Sequence, residues 1–240
     1  MSAIHKNGVL FVATGDYALA AIAAAASIRK HSPGIGIQIF TDKQDIPAGH
    51  FDHIAPIPNP HMRSKVDFIG LSVFERTLYL DTDIRIVEDI SEMFALLDRF
   101  DIAVAHAHLR NHPSTSQLWR CEIPDSFPQM NGGIILFKNS PEVLKLLGDW
   151  SAAYHEAGFK KDQVTLRELL WLSDLRIATL PPEYNIRYEK YLKVWKDQEA
   201  RPRILHCARF HTELGLGSKA AARPKRRFKR LRALFGSKGN

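Results

Sequence analysis

Two aspartates separated by one residue, Asp81 and Asp83, are the side chains in this sequence best suited to chemistry. They follow residues 76–80 (Arg-Thr-Leu-Tyr-Leu), which are typical of a strand. In an extended chain, residues i and i+2 project to the same side, so the two carboxylates lie together while Thr82 faces away. Two like charges so placed favour a divalent cation such as Mg²⁺, Ca²⁺ or Mn²⁺. Taken alone, the tripeptide is also compatible with a solvated turn after a strand.

The elements that must position these carboxylates alternate between strand and helix patterns. An apolar run at residues 8–14, an alanine-rich helix at 17–31 and a second apolar run at 35–40 predict a strand-helix-strand unit with parallel strands. The sequence therefore predicts an α/β fold with an open, mostly parallel twisted sheet and helices on both faces, in which ligands bind beyond the carboxyl ends of the strands. Further strands are predicted at 76–80, 84–87, 102–105, 131–137, 176–180 and 203–206, and helices at 65–74, 91–97 (capped by Ser91), 140–157 (opened by Ser140 and Pro141) and 161–171.

Residues 109–128 hold three prolines and show no hydrophobic period, which predicts an irregular loop. Loops of this length inside a compact domain are usually functional. We expect this segment to act as a lid or to bind an acceptor.

Five segments follow one another in order within residues 8 to about 211: residues 74–83 with the following 84–90, then 129–137, 162–163, 180–185 and 204–206. Together they resemble GT-A-fold glycosyltransferases of the glycogenin and lipopolysaccharide galactosyltransferase kind. The resemblance implies a Rossmann-like nucleotide-binding half and the transfer of a hexose from a nucleoside-diphosphate sugar, for which we expect UDP, to a saccharide or glycolipid acceptor. It also implies that the sugar retains its anomeric configuration.

The resemblance implies that Asp81, Asp83 and a histidine near the last strand bind a metal ion, Mn²⁺ or Mg²⁺. His206 matches the histidine position, and His211 is the competing candidate five residues later. Glycosyl transfer leaves growing negative charge on the departing nucleoside diphosphate, and a metal held against the diphosphate stabilises that charge.

The first strand-to-helix turn, with Thr14, Asp16 and Tyr17, matches the place where related enzymes read the nucleobase. The alternative is that Asp16 only caps the helix and Tyr17 only packs against it. Lys65 matches a basic residue that contacts the donor phosphate or sugar. Its default interpretation is a solvated cation on a helix, and Arg63 is a competing candidate.

Asn131 and Gly132 match a segment whose asparagine contacts the donor sugar, while small residues allow the backbone to approach the ligand. Thr82 is also assigned to the donor-binding group. Asp162 and Gln163 match the pair beside the reactive carbon of the sugar, and we predict a catalytic role for both. The alternative for Asp162 is an ordinary acidic residue at a helix N-terminus.

Two features depart from the family pattern. The glycine and Lys-Pro-Trp element expected after the metal histidine is replaced by residues 207–213, so Arg209 is predicted to meet the diphosphate instead. Three histidines, His106, His108 and His112, stand where many relatives carry an acidic sugar contact. They could bind Zn²⁺, but the spacing of other ligands is irregular, and we favour contacts to the sugar or the acceptor.

The net charge of +7 is unevenly distributed along the chain. Residues 219–240 carry nine basic and no acidic side chains, which leaves 24 basic and 26 acidic residues in 1–218. We therefore predict a glycosyltransferase domain over 1–218 and a basic amphipathic tail over 219–240. The tail is expected to bind an anionic membrane surface, with RNA binding or a solvated end as the alternatives.

The two cysteines, Cys121 and Cys207, cannot staple a chain of 240 residues, and neither a leader nor a membrane-spanning helix is predicted. We expect a cytoplasmic protein, peripheral on the inner membrane face. A sugar-phosphate nucleotidyltransferase is the first alternative, disfavoured because its glycine-rich basic loop is missing. A nucleic-acid-binding protein is the second, disfavoured because the body of the chain is slightly acidic.

Overall fold

The computed structural model describes residues 6–216, so the tail lies outside the described residues. In these residues, strands and helices first alternate along the chain, and a mixture of strands and short helices follows. The strands are β1 (Asn7–Ala13), β2 (Gly36–Thr41), β3 (His53–Pro56), β4 (Arg76–Leu80), β5 (Ile84–Ile86), β6 (Ile102–His106), β7 (Met130–Lys138), β8 (Ile177–Thr179) and β9 (Ile204–His206). The helices are α1 (Tyr17–His31), α2 (Lys65–Phe68), α3 (Pro141–Ala157), α4 (Gln163–Leu172), α5 (Tyr191–Val194) and α6 (Arg209–Glu213), with 3₁₀ turns at Ile69–Leu71, Ser91–Asp98 and Pro182–Tyr184.

Seven strands form one sheet in the order β3-β2-β1-β4-β7-β6-β8. Four of the six pairings are parallel, and β7 runs antiparallel to both of its neighbours, β4 and β6. The predicted open, mostly parallel sheet is therefore confirmed. Because β7 runs against β4, its first residues lie beside the carboxyl end of β4, so both strands contribute to the same edge. A separate antiparallel pair, β5 with β9, aligns Ile84 with His206.

Helices cover both faces of the sheet, as predicted. One face packs Phe11 and Leu78 against the alanines of α1 and against Ile28. The opposite face packs Leu10 and Tyr79 against α2, α3 and α4, with the fully buried Trp150 among them. Strands that are buried on both faces read as continuous apolar runs, which explains why β1 and β4 were predictable from the sequence.

The boundaries differ from the predictions in a few places. The helix predicted over 91–97 is a 3₁₀ helix, and Ser91 is not its cap, because Ser91 lies inside it and donates its backbone N–H and its hydroxyl to the Asp89 carboxylate. The helix predicted to reach residue 74 ends earlier, because Ser72 is already extended. Helix α3 begins as predicted, with the Ser140 hydroxyl accepting from Val143 N–H. In residues 6–216, none of the helices combines the length and the apolar character that crossing a membrane requires.

Candidate active site

A cavity of about 610 Å³ opens at the carboxyl ends of β1 and β4. Its wall is built from the ends of these strands, the start of β7, α2, the start of α4 and the end of β9. Ten of the predicted site residues line it: Thr14, Tyr17, Lys65, Asp81, Thr82, Asp83, Asn131, Asp162, Gln163 and His206. Asp16 and Arg209 do not line it, and Gly132 lies directly behind the wall.

Asp81, Asp83 and His206 form a cluster whose potential ligand atoms all lie within 4.8 Å of one another. His206 Nε2 is 3.0 Å from Asp83 Oδ1 and 3.8 Å from Asp81 Oδ2. The pairing of β5 with β9 produces this convergence, because it aligns His206 with Ile84, the residue after Asp83. His211, the competing histidine, instead shares a hydrogen bond of 2.8 Å with the Thr82 hydroxyl.

Asn185 orients the imidazole of His206. Its Oδ1 lies 2.8 Å from His206 Nδ1, and both side chains are buried. An acceptor at Nδ1 keeps a proton on that nitrogen, so Nε2, which faces the two aspartates, is the nitrogen available to a metal ion. No role was predicted for Asn185 from the sequence, although this residue is the last of the 180–185 segment, which is part of the family resemblance.

Asp83 is held as a carboxylate. Burial alone would raise its pKa, but His206 and then Arg187, whose Nη1 is 3.6 Å from Asp83 Oδ2, hold that pKa well below its usual range. Arg187 also lines the cavity. It is a site cation that sequence reasoning missed.

Gly133 is required by the close packing of the cluster. A Cβ atom at this position would lie 2.4 Å from Asp81 Oδ2 and 2.6 Å from His206 Cε1. The Gly133 carbonyl also accepts the Asp81 backbone N–H at 2.8 Å, so the backbone of β7 presses against the end of β4. No side chain can be placed between them without displacing a potential metal ligand.

Lys65 joins the cluster to the predicted catalytic pair. Its Nζ lies 2.9 Å from Asp162 Oδ2 and 3.3 Å from Asp81 Oδ1, and it donates to the Gly132 carbonyl at 2.7 Å. Burial would lower the pKa of Lys65, but Asp162 and Asp81 raise it above its ordinary value. The side chain is only 7% exposed, so the default interpretation of a solvated cation was wrong.

Tyr79 supports Asp81 from within the sheet. Its hydroxyl donates to Asp81 Oδ1 at 2.8 Å. Burial and the neighbouring Asp81 carboxylate raise the pKa of Tyr79 well above 10, so the phenol keeps its proton and remains a donor. Because Tyr79 belongs to a continuous apolar run, its sequence position suggested only a core residue.

Asp162 is almost fully buried immediately before α4. It does not cap that helix with its side chain, which turns toward Lys65. Its backbone carbonyl accepts from the indole of Trp150 at 2.9 Å, which fixes the start of the helix. A Cβ atom on Gly132 would lie 3.3 Å from Asp162 Oδ2 and 3.5 Å from Gln163 Cγ, so β7 and α4 meet here.

The turn after β1 is divided between two depressions. Thr14 and Tyr17 line the main cavity, whereas Asp16 lines an adjoining depression and pairs with Lys43 at 3.2 Å. Asp16 makes no side-chain cap to α1, so the capping alternative is not supported by the geometry. The Tyr17 ring is 39% exposed and lies edge-on to His211, with the ring centroids 4.8 Å apart.

Arg209 is not brought to the cavity. Its guanidinium pairs with Glu189 at 2.5 Å and Glu213 at 3.6 Å and lies over the Phe210 ring, because α6 turns it away from the metal cluster. Two other cations lie beside the aspartates instead: Lys65 at Asp81 and Arg187 at Asp83.

The histidines of the 106–112 stretch do not converge on a common point. Among residues 6–216, the groups of three or more potential metal ligands are Asp81 with Asp83 and His206, and His61 with Asp67 and His155. The predicted irregular loop is present, without helix or strand between β6 and β7. Two buried residues of α4 hold its second half: Arg167 donates to three loop carbonyls, and Glu168 accepts from two loop N–H groups.

A family model described as nucleotide-diphospho-sugar transferase matches residues 76–221. The chain belongs to this family. The match spans the aspartate pair, β7, the Asp162 segment and His206, so the predicted glycosyltransferase identity is confirmed.

Solved structures agree with this transferase in fold. The galactosyltransferase LgtC, in complex with donor and acceptor sugar analogs, is similar at a TM-score of 0.60 with 15% identity, over 84% of this chain and 87% of that chain. The glycosyltransferase GlyE of Streptococcus pneumoniae TIGR4 is similar at a TM-score of 0.55 with 21% identity, over 84% of this chain and 55% of that chain. At such identities the likeness shows the fold, and it confirms the GT-A prediction. Curated proteins provide no significant sequence match.

Proposed function

We propose that this transferase moves a hexose from UDP to a saccharide or glycolipid acceptor with the help of Mn²⁺ or Mg²⁺. The observation that carries the proposal is the convergence of Asp81, Asp83 and His206 at the edge where the sheet of an α/β fold binds nucleotides. The donor set fits such an ion, because it offers two carboxylates and one imidazole nitrogen whose lone pair Asn185 leaves available.

A divalent ion bound there would neutralise the diphosphate and stabilise the charge that develops on it as the sugar departs. The chain adds its own positive charge. Arg187 lies beside Asp83 and lines the cavity, where its guanidinium suits the bidentate recognition of a phosphate. Thr82 hydrogen-bonds to His211, whose ring contacts Tyr17, so these side chains connect the diphosphate region to the turn after β1.

The donor would extend from that turn toward β7 and α4. Thr14 and Tyr17 line the cavity where the uracil would lie, and the partly exposed Tyr17 ring offers a face for stacking. The sugar would reach Asn131, whose Oδ1 accepts the Gly133 N–H at 2.8 Å and is thereby held in place. Asp16 faces the adjoining depression and would take part only at its margin.

Asp162 and Gln163 would act at the reactive carbon. The Asp162 carboxylate is buried, oriented by Lys65 and adjacent to the sugar-binding wall at Gly132. In a water-excluded site, a fixed negative charge stabilises the positive charge that grows on the sugar ring. Gln163, which lines the cavity, would direct its amide oxygen to the same carbon, consistent with retention of configuration.

A donor-binding experiment tests this proposal. Thermal unfolding of the full chain should shift upward with UDP and Mn²⁺ together, because ligands that bind only the folded state stabilise it. Asp81→Asn and Asp83→Asn should remove the Mn²⁺-dependent part of the shift. Lys193→Gln, an exposed change on α5, is the control and should keep it. No shift with UDP and Mn²⁺ in the wild-type chain would contradict the proposal.

We also propose that residues 219–240 attach the transferase domain, residues 1–218, to the inner face of a membrane from the cytoplasmic side. Nine cations and a set of apolar residues at helical spacing support this assignment, since each cation near an anionic surface contributes about 1 kcal/mol. Removal of the tail should abolish sedimentation with phosphatidylserine vesicles and leave the UDP-dependent thermal shift intact. Equal sedimentation of both forms would overturn the attachment.

A further inference from the structure

A group of basic side chains lies at the rim of the cavity on the side of the β6–β7 loop. This rim consists of His108, Arg110 and Lys190 and is continuous with Arg187 and Tyr188 in the cavity wall. His108 contacts the Tyr188 ring, with the ring centroids 4.3 Å apart, and therefore joins the loop to the segment before α5.

Among residues 6–216, the charged groups that act on His108 are basic, and no carboxylate forms a salt bridge with Arg110 or Lys190. The pKa of His108 lies below its ordinary value because the ring is partly buried and because Lys190, Arg110 and Arg187 place positive charge beside it. The one acidic residue of the neighbouring segment, Glu189, is paired with Arg209. An anion from outside the chain would relieve this repulsion.

The basic side chains are held by local contacts. Lys190 Nζ lies 5.6 Å and 5.3 Å from the ring centroids of Tyr188 and Tyr191, within the range of a cation–π interaction. Arg110 Nη1 lies 3.1 Å from His106 Nδ1. Two cations are thus positioned near His108, next to Tyr188, which is 44% exposed and whose ring could stack on a sugar.

The donor does not account for this charge. In the proposed function, a metal ion and Arg187 meet the diphosphate, and Lys65 is occupied by Asp162 and Asp81. Arg110 and Lys190 take no part in that arrangement, and they lie at the β6–β7 loop, which is predicted to bind an acceptor, and at the segment that contacts it. We propose that the acceptor saccharide carries an anionic group, a phosphate or a carboxylate, and that Arg110 and Lys190 bind it. This inference rests on the proposed function.

Three small sugars test the inference on the full-length protein saturated with UDP and Mn²⁺, which block the donor site. Glucose, glucose 6-phosphate and glucuronate are titrated, and their dissociation constants are measured by protein-observed NMR. At least one anionic sugar should bind about tenfold or more tightly than glucose, because charge-assisted hydrogen bonds are about twice as strong as neutral ones. The phosphate and carboxylate arms identify which anion is preferred.

The double variant Arg110→Gln with Lys190→Gln should remove that preference while glucose binding stays unchanged. Lys193→Gln makes the same change of charge on α5 and should keep the preference. The inference is overturned if the three sugars bind equally, or if the double variant and Lys193→Gln reduce the preference alike. Failure of the donor proposal is seen separately, as the absence of a UDP-dependent thermal shift before any sugar is added.

Discussion

Replacing Asn185 with leucine should weaken metal binding even though Asn185 is not itself a predicted ligand. Its Oδ1 is the partner of His206 Nδ1 at 2.8 Å. Leucine has a similar volume but no acceptor, so the imidazole is free to carry its proton on Nε2, the nitrogen that faces Asp81 and Asp83. Removing such a support of a metal-binding histidine typically reduces metal affinity by about 10–100-fold.

The magnitude should fall in the upper part of that range. His206 is 2% and Asn185 9% exposed, so water cannot readily replace the lost acceptor. We expect Mn²⁺ affinity to fall by about 30–100-fold, which corresponds to about 2–2.7 kcal/mol. The buried Nδ1, left without a hydrogen-bond partner, should also lower the free energy of unfolding by about 1–3 kcal/mol.

Free Mn²⁺ can be measured by electron paramagnetic resonance in the presence of UDP, with denaturant unfolding in parallel. Asn185→Asp keeps an acceptor oxygen and should bind Mn²⁺ at least as tightly as the wild type. Asn139→Leu is a matched control, since Asn139 bonds the carbonyls of Ser72 and Phe74 away from the cavity. It should lose stability without losing metal affinity. A folded Asn185→Leu protein with the wild-type Mn²⁺ affinity would refute the reasoning.

Three further outcomes are expected. Gly133→Ala should abolish Mn²⁺ binding measured by the same resonance, because its Cβ atom would displace Asp81; retained affinity would contradict the packing argument. Arg187→Gln should weaken UDP binding in calorimetry while Arg209→Gln, which changes a residue outside the cavity, should not; the reverse order would restore the original assignment. The hydrogen bond from Arg176 holds the pKa of Asp101 below its usual value. This interaction therefore stabilises the folded protein above about pH 3.9, and its contribution is lost as the pH falls further. Asp101→Asn should therefore lower the free energy of unfolding at pH 7 and flatten its loss between about pH 5 and pH 2 in urea titrations, and an unchanged slope would be evidence against this ion pair.

The parts of the fold that could be predicted are those whose residues are buried on both sides. β1, β2 and β4 consist mostly of apolar residues, and α3 shows a cap, a first-turn proline and a regular period. β3 was missed because its residues alternate between half-buried and exposed and end in Pro56. The antiparallel direction of β7 could not be read either, since periodicity gives the burial of a strand and not its direction.

The site residues that could be predicted are those that lie close together in the sequence or match a position of the family. Asp81 and Asp83 are neighbours in the chain, and His206 matched a family position. Asn185 and Arg187 were missed because their roles arise from contacts between distant elements, such as the 21 residues that separate Asn185 from His206. Tyr79 lies only two residues before Asp81 and was missed because a strand position of this kind indicates a core residue. Arg209 was predicted to meet the diphosphate because it lies close to His206 in the sequence. In the structure, α6 directs its side chain to Glu189 and Glu213 instead.

The way in which the β6–β7 loop is closed at its base determines which sequence changes the fold can accept. β6 and β7 are adjacent antiparallel strands, so the loop is in effect an enlarged hairpin, closed where Ala107 N–H donates to the Gln129 carbonyl at 2.7 Å. Length and composition between these two residues can vary while the strand register beneath stays fixed. The β6–β7 loop could therefore be replaced by the corresponding loop of another transferase. Such an exchange could give the enzyme a new acceptor specificity while the residues that bind the donor stay unchanged.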